Sequence, residues 1–138
     1  NPSLLGKQKG NFKKILKSIA TEVKGPICAE VTATQSNKMI EEAKLLQNIS
    51  KNIVIKIPLT LEVLVACKYL TSKKFKVNVT LCFSASQAVL AAKAGATFIS
   101  PFIGRLDDIG ENGVQLIKDI KIAYQNYNYK TKILAASI

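Results

Sequence analysis

Short apolar runs rich in β-branched residues alternate along the chain with longer stretches of helical periodicity. The runs cover residues 26–33, 52–58, 76–84, 97–103 and 132–138. Each of the first four is followed by a helical stretch, and strands and helices that alternate with short connections are typical of a parallel sheet covered by helices. The runs are apolar almost throughout, as expected for strands that are buried on both faces.

Apolar stripes within the helical stretches predict which helix faces pack on the sheet. Ser84 and Gln87 have the spacing of a capping box and predict the start of one helix, which Gly95 ends in a left-handed conformation. The predicted stripes of the other helices share a spacing of three or four residues; they are Met39, Ile40, Ala43, Leu46 and Ile49 in one helix, Leu61, Leu64, Val65 and Leu70 in the next, and Leu116, Ile117, Ile120, Ala123, Tyr124 and Tyr127 in the last.

Polar residues lie in or just after several of the predicted strands. They are Glu30, Lys56, Asn78, Thr80, Ser100, Arg105 and Ser137. No run is followed by the glycine pattern of a nucleotide-binding open sheet, and a (β/α) barrel builds its site from the ends of many strands. A closed (β/α)8 barrel takes about 250 residues. We therefore expect residues 1–138 to form a single domain that is an incomplete TIM barrel.

Composition favours a cytoplasmic protein. The chain has 138 residues, 48% of them hydrophobic, but no apolar run near the roughly 20 residues that span a bilayer. Its start has no signal peptide pattern and no initiator Met, so we expect an interior segment of a longer protein. The cysteines Cys28, Cys67 and Cys82 lie in apolar runs without C-x-x-C spacing and are interpreted as reduced core residues.

The net charge of +11 includes six lysines between Lys7 and Lys24. A basic surface attracts RNA, anionic membranes or phosphorylated metabolites. Within residues 12–23, however, the lysines lie opposite an apolar helical stripe, so we expect a solvated helix face and neither a nucleic acid nor a membrane as partner. The chain has no histidine, which excludes Ser-His and Cys-His nucleophiles and histidine metal sites.

Lys56 lies at the centre of the apolar run "NIVIKIPLT". An ammonium buried there loses hydration that apolar neighbours do not replace, so we expect the isoleucines 53, 55 and 57 to favour the neutral, nucleophilic amine. The alternative is an exposed lysine that protects an edge strand from aggregation.

Six motifs spread over the chain resemble those of the transaldolase family, especially its short bacterial-type branch that includes fructose-6-phosphate aldolase. They are "NPSL", "AEVTA", "IVIKIPLT", "NVTLCFS", "AAKAGATFISPFIGRLDD" and "ILAAS". The resemblance implies Schiff-base transfer of a dihydroxyacetone unit between sugar phosphates in the pentose phosphate pathway, a reaction for which we expect no metal and no cofactor. It also implies that the chain covers roughly the end of strand 2 to strand 7 of the barrel. The first strand, with a catalytic aspartate, then lies upstream, and the eighth strand lies downstream.

The resemblance assigns a role to each candidate residue. Lys56 matches the Schiff-base lysine, and Glu30 matches the glutamate that moves protons through a water held by Thr80. Arg105 matches the arginine that binds phosphate. The remaining matches concern substrate contacts or the shape of the site; they are Asn1, Asn78, Ser100, Phe102 and Ser137. From the residues alone, Glu30 also fits an ion pair with a helix lysine, Thr80 an ordinary strand residue, and Arg105 a salt bridge to Asp107 or Asp108.

Two positions distinguish subtypes within the resemblance. The free aldolases carry glutamine at the position of Glu30 and tyrosine at that of Phe102, so both residues favour a transaldolase over a fructose-6-phosphate aldolase. The alternatives from another class are a non-catalytic fragment and a basic nucleic-acid-binding module. The short branch commonly forms rings, so we expect a homo-oligomer when the protein is full length.

Overall fold

A computed structural model describes residues 12–138, in which helices and strands alternate. The strands are β1 (Ile27–Glu30), β2 (Ile53–Pro58), β3 (Val77–Cys82), β4 (Phe98–Pro101) and β5 (Lys132–Ile133). The helices are α1 (Phe12–Glu22), α2 (Ser36–Gln47), α3 (Leu61–Ser72), α4 (Ala85–Lys93), α5 (Ile103–Asp107) and α6 (Gly113–Asn126).

The strands form one parallel sheet in the order β1-β2-β3-β4-β5. Each strand therefore pairs with the strand that follows it in sequence, after a helical crossover. This order is that of a (β/α) barrel, whereas a doubly wound sheet reverses direction partway through. The predicted fold class is confirmed: the fold is consistent with a segment of a TIM barrel.

Alternate strand positions face opposite sides of the sheet, because successive side chains of a strand point in opposite directions. Odd-numbered positions pack into the core beneath the helices, where each buried aliphatic side chain contributes about 1.5–3 kcal/mol. They are Ala29, Ile53, Ile55, Ile57, Val77, Val79 and Ile99. The helix residues that meet them include Met39, Ala43, Val63, Ala66, Leu70, Leu116, Ile120 and Tyr124.

The ends of helix α4 follow the sequence prediction closely. The Ser84 hydroxyl accepts a hydrogen bond from the Gln87 backbone N–H, as in the predicted capping box. The Gln87 side chain accepts its hydrogen bond from the Phe83 N–H, one residue before the position that a capping box uses. Gly95 has a φ of +90°, and a Cβ built there would lie 2.7 Å from the Thr71 hydroxyl oxygen. Gly95 therefore ends α4 both through its backbone conformation and through the close approach of α3.

Several predicted boundaries and faces are wrong. The run 132–138 forms only a two-residue strand and a single bridge between Phe102 and Ala136, and Ser137 adopts a positive φ of 56°. Helix α3 buries Val63, Ala66, Cys67 and Leu70, while Leu61 is 82% and Val65 60% exposed. The predicted stripe of Leu61, Leu64, Val65 and Leu70 omits the small Ala66 and Cys67, which are buried. The short helix α5 had not been predicted.

The basic helix α1 turns Lys13, Lys14 and Lys17 toward solvent and buries Leu16, as the periodicity predicts. Ile19 of the apolar stripe is exposed, which the periodicity does not predict. Within residues 12–138, no helix combines the length and the apolar character needed to cross a membrane.

Candidate active site

The candidate site lies on the face of the sheet opposite the helix-packed core. Glu30, Lys56 and Asn78 occupy equivalent levels on three adjacent strands, since Glu30 pairs in register with Lys56 and Lys56 with Asn78. All three are even-numbered positions, so strand alternation gives them the same side. The register of the sheet brings together side chains that are far apart in sequence.

Lys56 and Glu30 form an ion pair with 3.2 Å between Nζ and Oε2. Their side chains are 23% and 18% exposed. The expectation that isoleucines surround the amine is wrong, because Ile53, Ile55 and Ile57 point to the helices. The amine instead has a carboxylate beside it, which can accept and return a proton. Glu30 pairs with the strand lysine and not with a lysine of a helix.

Thr80 is 1% exposed, and its hydroxyl oxygen has no hydrogen-bond partner among the residues that the structure describes. The strand is irregular immediately after it. Leu81 has a positive φ of 57°, and the pairing of β3 with β4 shifts between Val79 and Cys82. Such a bulge re-aims side chains, and here it turns Cys82 into the core. Thr80 is the last residue of β3 that follows the regular alternation, and it lies on the same face of the sheet as Asn78.

Asn78 and Ser100 are the other buried polar residues of this face, 1% and 2% exposed. The Ser100 hydroxyl donates to Asn78 Oδ1 at 3.0 Å, and Asn78 Nδ2 donates to Cys28 Sγ at 3.4 Å. The expectation that all the cysteines are core residues is wrong for Cys28, which is exposed. Cys67 and Cys82 are buried, and burial raises the pKa of their thiols to about 12 and about 11.

The loop after Glu30 is held by a carboxylate of α2. Glu42 accepts hydrogen bonds from the Thr32 N–H at 2.7 Å, from the Thr32 hydroxyl at 3.1 Å and from the Ala33 N–H at 3.3 Å. The Val31 N–H also donates to the Lys56 carbonyl at 3.1 Å. The end of β1 is therefore attached both to β2 and to α2, which restricts the backbone on which Glu30 is mounted.

The residues predicted to bind phosphate follow β4 in the sequence. Arg105 is an exposed residue of α5, and within residues 12–138 it forms no ion pair with Asp107 or Asp108. The Gly104 N–H donates to the Ser137 carbonyl, and a Cβ at position 104 would lie 2.6 Å from that oxygen. This contact brings the chain around Ser137 against the start of α5, next to Arg105.

Phe102 precedes α5, and its ring packs edge-on against Phe83 with centroids 6.1 Å apart. The two phenylalanines follow neighbouring strands, so they lie at the same end of the sheet. Asn1 lies outside the described residues.

Sequence reasoning missed Cys28, Glu42 and Phe83. The alternation of β1 contains a signal for the first, because Cys28 precedes Glu30 by two positions and shares its side of the strand. Glu42 and Phe83 act through tertiary contacts that no local pattern encodes.

A lysine paired with a carboxylate, on the face of a parallel barrel sheet that also carries buried hydroxyl and amide groups, is an arrangement suited to imine chemistry on a carbonyl compound. The family model described as Transaldolase/Fructose-6-phosphate aldolase matches residues 1–138, the whole chain. The chain belongs to this family.

Curated relatives agree with the family match. The chain is 57% identical over 138 residues to a probable transaldolase of Brucella ovis, 56% identical to one of Bartonella tribocorum and 57% identical to one of Sinorhizobium medicae. Each alignment covers 100% of this chain and 64% of the relative. The chain thus spans somewhat less than two thirds of the length of these relatives.

Proposed function

We propose that the protein is a transaldolase that uses Lys56 to carry a dihydroxyacetone unit from a ketose phosphate to an aldose phosphate. The donors are fructose 6-phosphate or sedoheptulose 7-phosphate. The observation that carries the proposal is the 3.2 Å pair between Lys56 Nζ and Glu30 Oε2. A lysine must lose a proton to attack a carbonyl carbon, and a carboxylate within hydrogen-bond distance provides the acceptor.

Imine formation proceeds in balanced steps. The ammonium of Lys56 gives a proton to Glu30, and the neutral amine then attacks C2 of the ketose to form a carbinolamine. Glu30 returns the proton to the carbinolamine hydroxyl, which leaves as water and gives the iminium. The buried Thr80 hydroxyl, with no partner among the described protein groups, is suited to bind the water through which this proton moves.

Transfer follows from the iminium, which accepts electrons. The C4 hydroxyl loses its proton to the carboxylate that the resemblance places upstream of residue 1, and the C3–C4 bond breaks. The aldose product departs, and the bonding electrons remain on Lys56 as an enamine. The enamine carbon attacks the aldehyde of the acceptor, and the upstream carboxylic acid returns its proton to the oxygen that forms at the new C4. Hydrolysis of the new imine then releases the product ketose and frees the amine.

Substrate groups meet the other residues of the same face. Asn78 and Ser100 provide buried hydrogen-bonding groups for the hydroxyls of the three-carbon unit, to which Asn1 also contributes. Arg105, exposed and without an ion pair in residues 12–138, is available for a phosphate, which a guanidinium binds through two parallel hydrogen bonds. Ser137 is held beside it through Gly104.

Transfer is favoured over release of the three-carbon unit by two of these residues. Glu30 relays protons that the amide of a glutamine does not, and Phe102 has no phenol group to position a water or to protonate the enamine. Phe102 instead packs against Phe83, which makes this part of the site apolar. Fructose-6-phosphate aldolase activity is the second candidate, and it rests on the family match alone.

The wider setting is proposed on the same basis. We place the enzyme in the pentose phosphate pathway of the cytoplasm, as a homo-oligomer of which residues 1–138 form the central part of one barrel domain. Neither a nucleic acid nor a membrane is part of the proposal.

Trapping of the imine tests this function. The protein, expressed with any flanking residues that its gene encodes, is incubated with fructose 6-phosphate and reduced with borohydride, and peptide mass spectrometry locates the added mass. We expect a three-carbon or six-carbon adduct on Lys56 and none in Lys56→Ala. A folded protein without an adduct would refute the proposal.

The product formed separates the two candidate activities. With erythrose 4-phosphate present, a transaldolase forms sedoheptulose 7-phosphate faster than it releases dihydroxyacetone. Predominant release of dihydroxyacetone would identify a fructose-6-phosphate aldolase instead.

A further inference from the structure

A hydrogen-bonded row crosses the sheet next to Lys56. It runs from Ser100 on β4 through the side chain of Asn78 on β3 to Cys28 on β1. Strands β1 and β3 are not neighbours, since β2 lies between them. The amide of Asn78 therefore reaches over β2 to contact the thiol.

The register shows where this crossing takes place. Cys28 is level with Val54 on β2, and Asn78 is level with Lys56. The contact between Asn78 Nδ2 and Cys28 Sγ, 3.4 Å long, thus passes between Val54 and Lys56, at the base of the lysine side chain. Asn78 is thus on the same side of the sheet as Lys56 and on the adjacent strand.

The row occupies some of the hydrogen-bonding groups of the Asn78 side-chain amide and leaves another available. Oδ1 accepts from Ser100, and one hydrogen of Nδ2 is directed to Cys28. An amide nitrogen has two hydrogens, so one remains for a substrate hydroxyl. Without the thiol, Asn78 is held at one end only, and its amide can turn about the bond to its Cβ.

We propose that Cys28 is a positioning residue, which holds the Asn78 amide at the base of Lys56 so that its free N–H meets a hydroxyl of the bound three-carbon unit. The inference rests on the proposed transaldolase function. It gives the exposed thiol a role through its sulfur as hydrogen-bond acceptor, and not as a nucleophile.

Variants of Cys28 separate this role from simple packing. Valine is close to cysteine in size but accepts no hydrogen bond, whereas serine accepts one. For Cys28→Val we expect kcat/KM for fructose 6-phosphate to fall about tenfold, the effect of one misplaced hydrogen bond. For Cys28→Ser we expect a loss of less than about threefold. Equal losses in the two variants would overturn the proposal, as would no loss in Cys28→Val.

A double-mutant cycle tests whether the effect passes through Asn78. In an Asn78→Ala background, Cys28→Val should leave the rate of adduct formation on Lys56 unchanged, because the amide that it positions is gone. A loss in this background as large as in the parent protein would contradict the inference. Urea unfolding verifies that each variant is folded, and Cys28→Ala replaces Cys28→Val if the larger side chain prevents folding.

Failure of this inference is distinguishable from failure of the proposed function. If the unmodified protein traps no adduct on Lys56, the transaldolase proposal fails first. If it traps the adduct and transfers the three-carbon unit while Cys28→Val behaves like the parent protein, only the role of Cys28 is refuted.

Discussion

The two faces of strands β2 and β3 differ in the chemical character of their side chains. The residues that face the helices are each at most 1% exposed; they are Ile53, Ile55, Ile57, Val77 and Val79. On the opposite face, the same strands carry Lys56, Asn78 and Thr80. Consecutive residues of one backbone segment thus serve two purposes: one set contributes burial of apolar area, and the other presents charged and hydrogen-bonding groups.

The difference shows that stability and chemistry are separable in this sheet. Burial of aliphatic side chains on the helix side is favourable, whereas the polar side holds an ion pair and a hydroxyl without a partner among the described groups. Groups of that kind contribute little to stability or reduce it. Substitutions on the two faces should therefore change different measured quantities.

The largest effect is expected from removing the ion pair as a unit. Lys56→Met combined with Glu30→Gln should abolish the borohydride-trapped adduct, while the free energy of unfolding changes by less than about 1 kcal/mol, because the double variant leaves neither charge without its partner. Mass spectrometry and urea unfolding provide the two measurements. Lys56→Met alone leaves the Glu30 carboxylate without its cation and should be the less stable protein. The comparison between the faces fails if the double variant unfolds.

Ile55→Ala tests the helix side. Removing a fully buried isoleucine side chain should lower the free energy of unfolding by about 2–5 kcal/mol, measured by urea unfolding. Leu61→Ala is the matched control, since Leu61 is 82% exposed and its truncation should cost less than about 0.5 kcal/mol. Equal losses at the two positions would show that the assigned core is wrong.

The buried thiols of Cys67 and Cys82 should make the free energy of unfolding depend on pH. Burial raises the pKa of Cys67 from 9.0 to about 12 and that of Cys82 to about 11. Above pH 9 the unfolded chain loses these protons while the folded chain keeps them, so stability is fully present below pH 9 and decreases as the pH rises toward these folded values.

Each thiol should contribute a loss of about 1.4 kcal/mol per pH unit in this window. Urea unfolding of the parent protein and of Cys67→Ala at about pH 8 and about pH 10 measures the difference, in which the titration of lysines cancels. The same pH dependence in both proteins would argue against protonation of Cys67 in the fold.

The smallest effect is expected at Thr80. Thr80→Val replaces the hydroxyl with a methyl group and should raise the free energy of unfolding by about 1 kcal/mol, since a buried hydroxyl without a partner is unfavourable. Imine formation should slow at the same time if the hydroxyl binds the water of the proposed mechanism. Lower stability of the variant would mean that the hydroxyl has a partner in the folded protein.

The strands were predicted well from the sequence where the core is continuous. They were predicted poorly where tertiary contacts determine the local backbone conformation. β2 and β3 lie within the predicted runs, because the residues that face the helices are apolar and most residues on the opposite face are also buried. The bulge after Thr80 depends on one backbone angle at Leu81, which no apolar pattern reveals. The buried face of α3 was misassigned because the predicted stripe omitted Ala66 and Cys67, which are small but buried.

The candidate site was predicted mostly through motifs and less through physical chemistry. The level arrangement of Glu30, Lys56 and Asn78 follows from pairing register, which depends on the whole sheet. The surroundings of Lys56 were misjudged because the flanking isoleucines were treated as its neighbours, although strand alternation directs them away.

The close contact between Gly104 and Ser137 has a mechanical consequence. A side chain at position 104 would press on the carbonyl oxygen of Ser137, at 2.6 Å, and separate two segments that are distant in sequence. With glycine present, the segment that carries Arg105 and the segment around Ser137 approach each other closely enough for the Gly104 N–H to donate to the Ser137 carbonyl. A ligand held by both segments would therefore not have to bring them together.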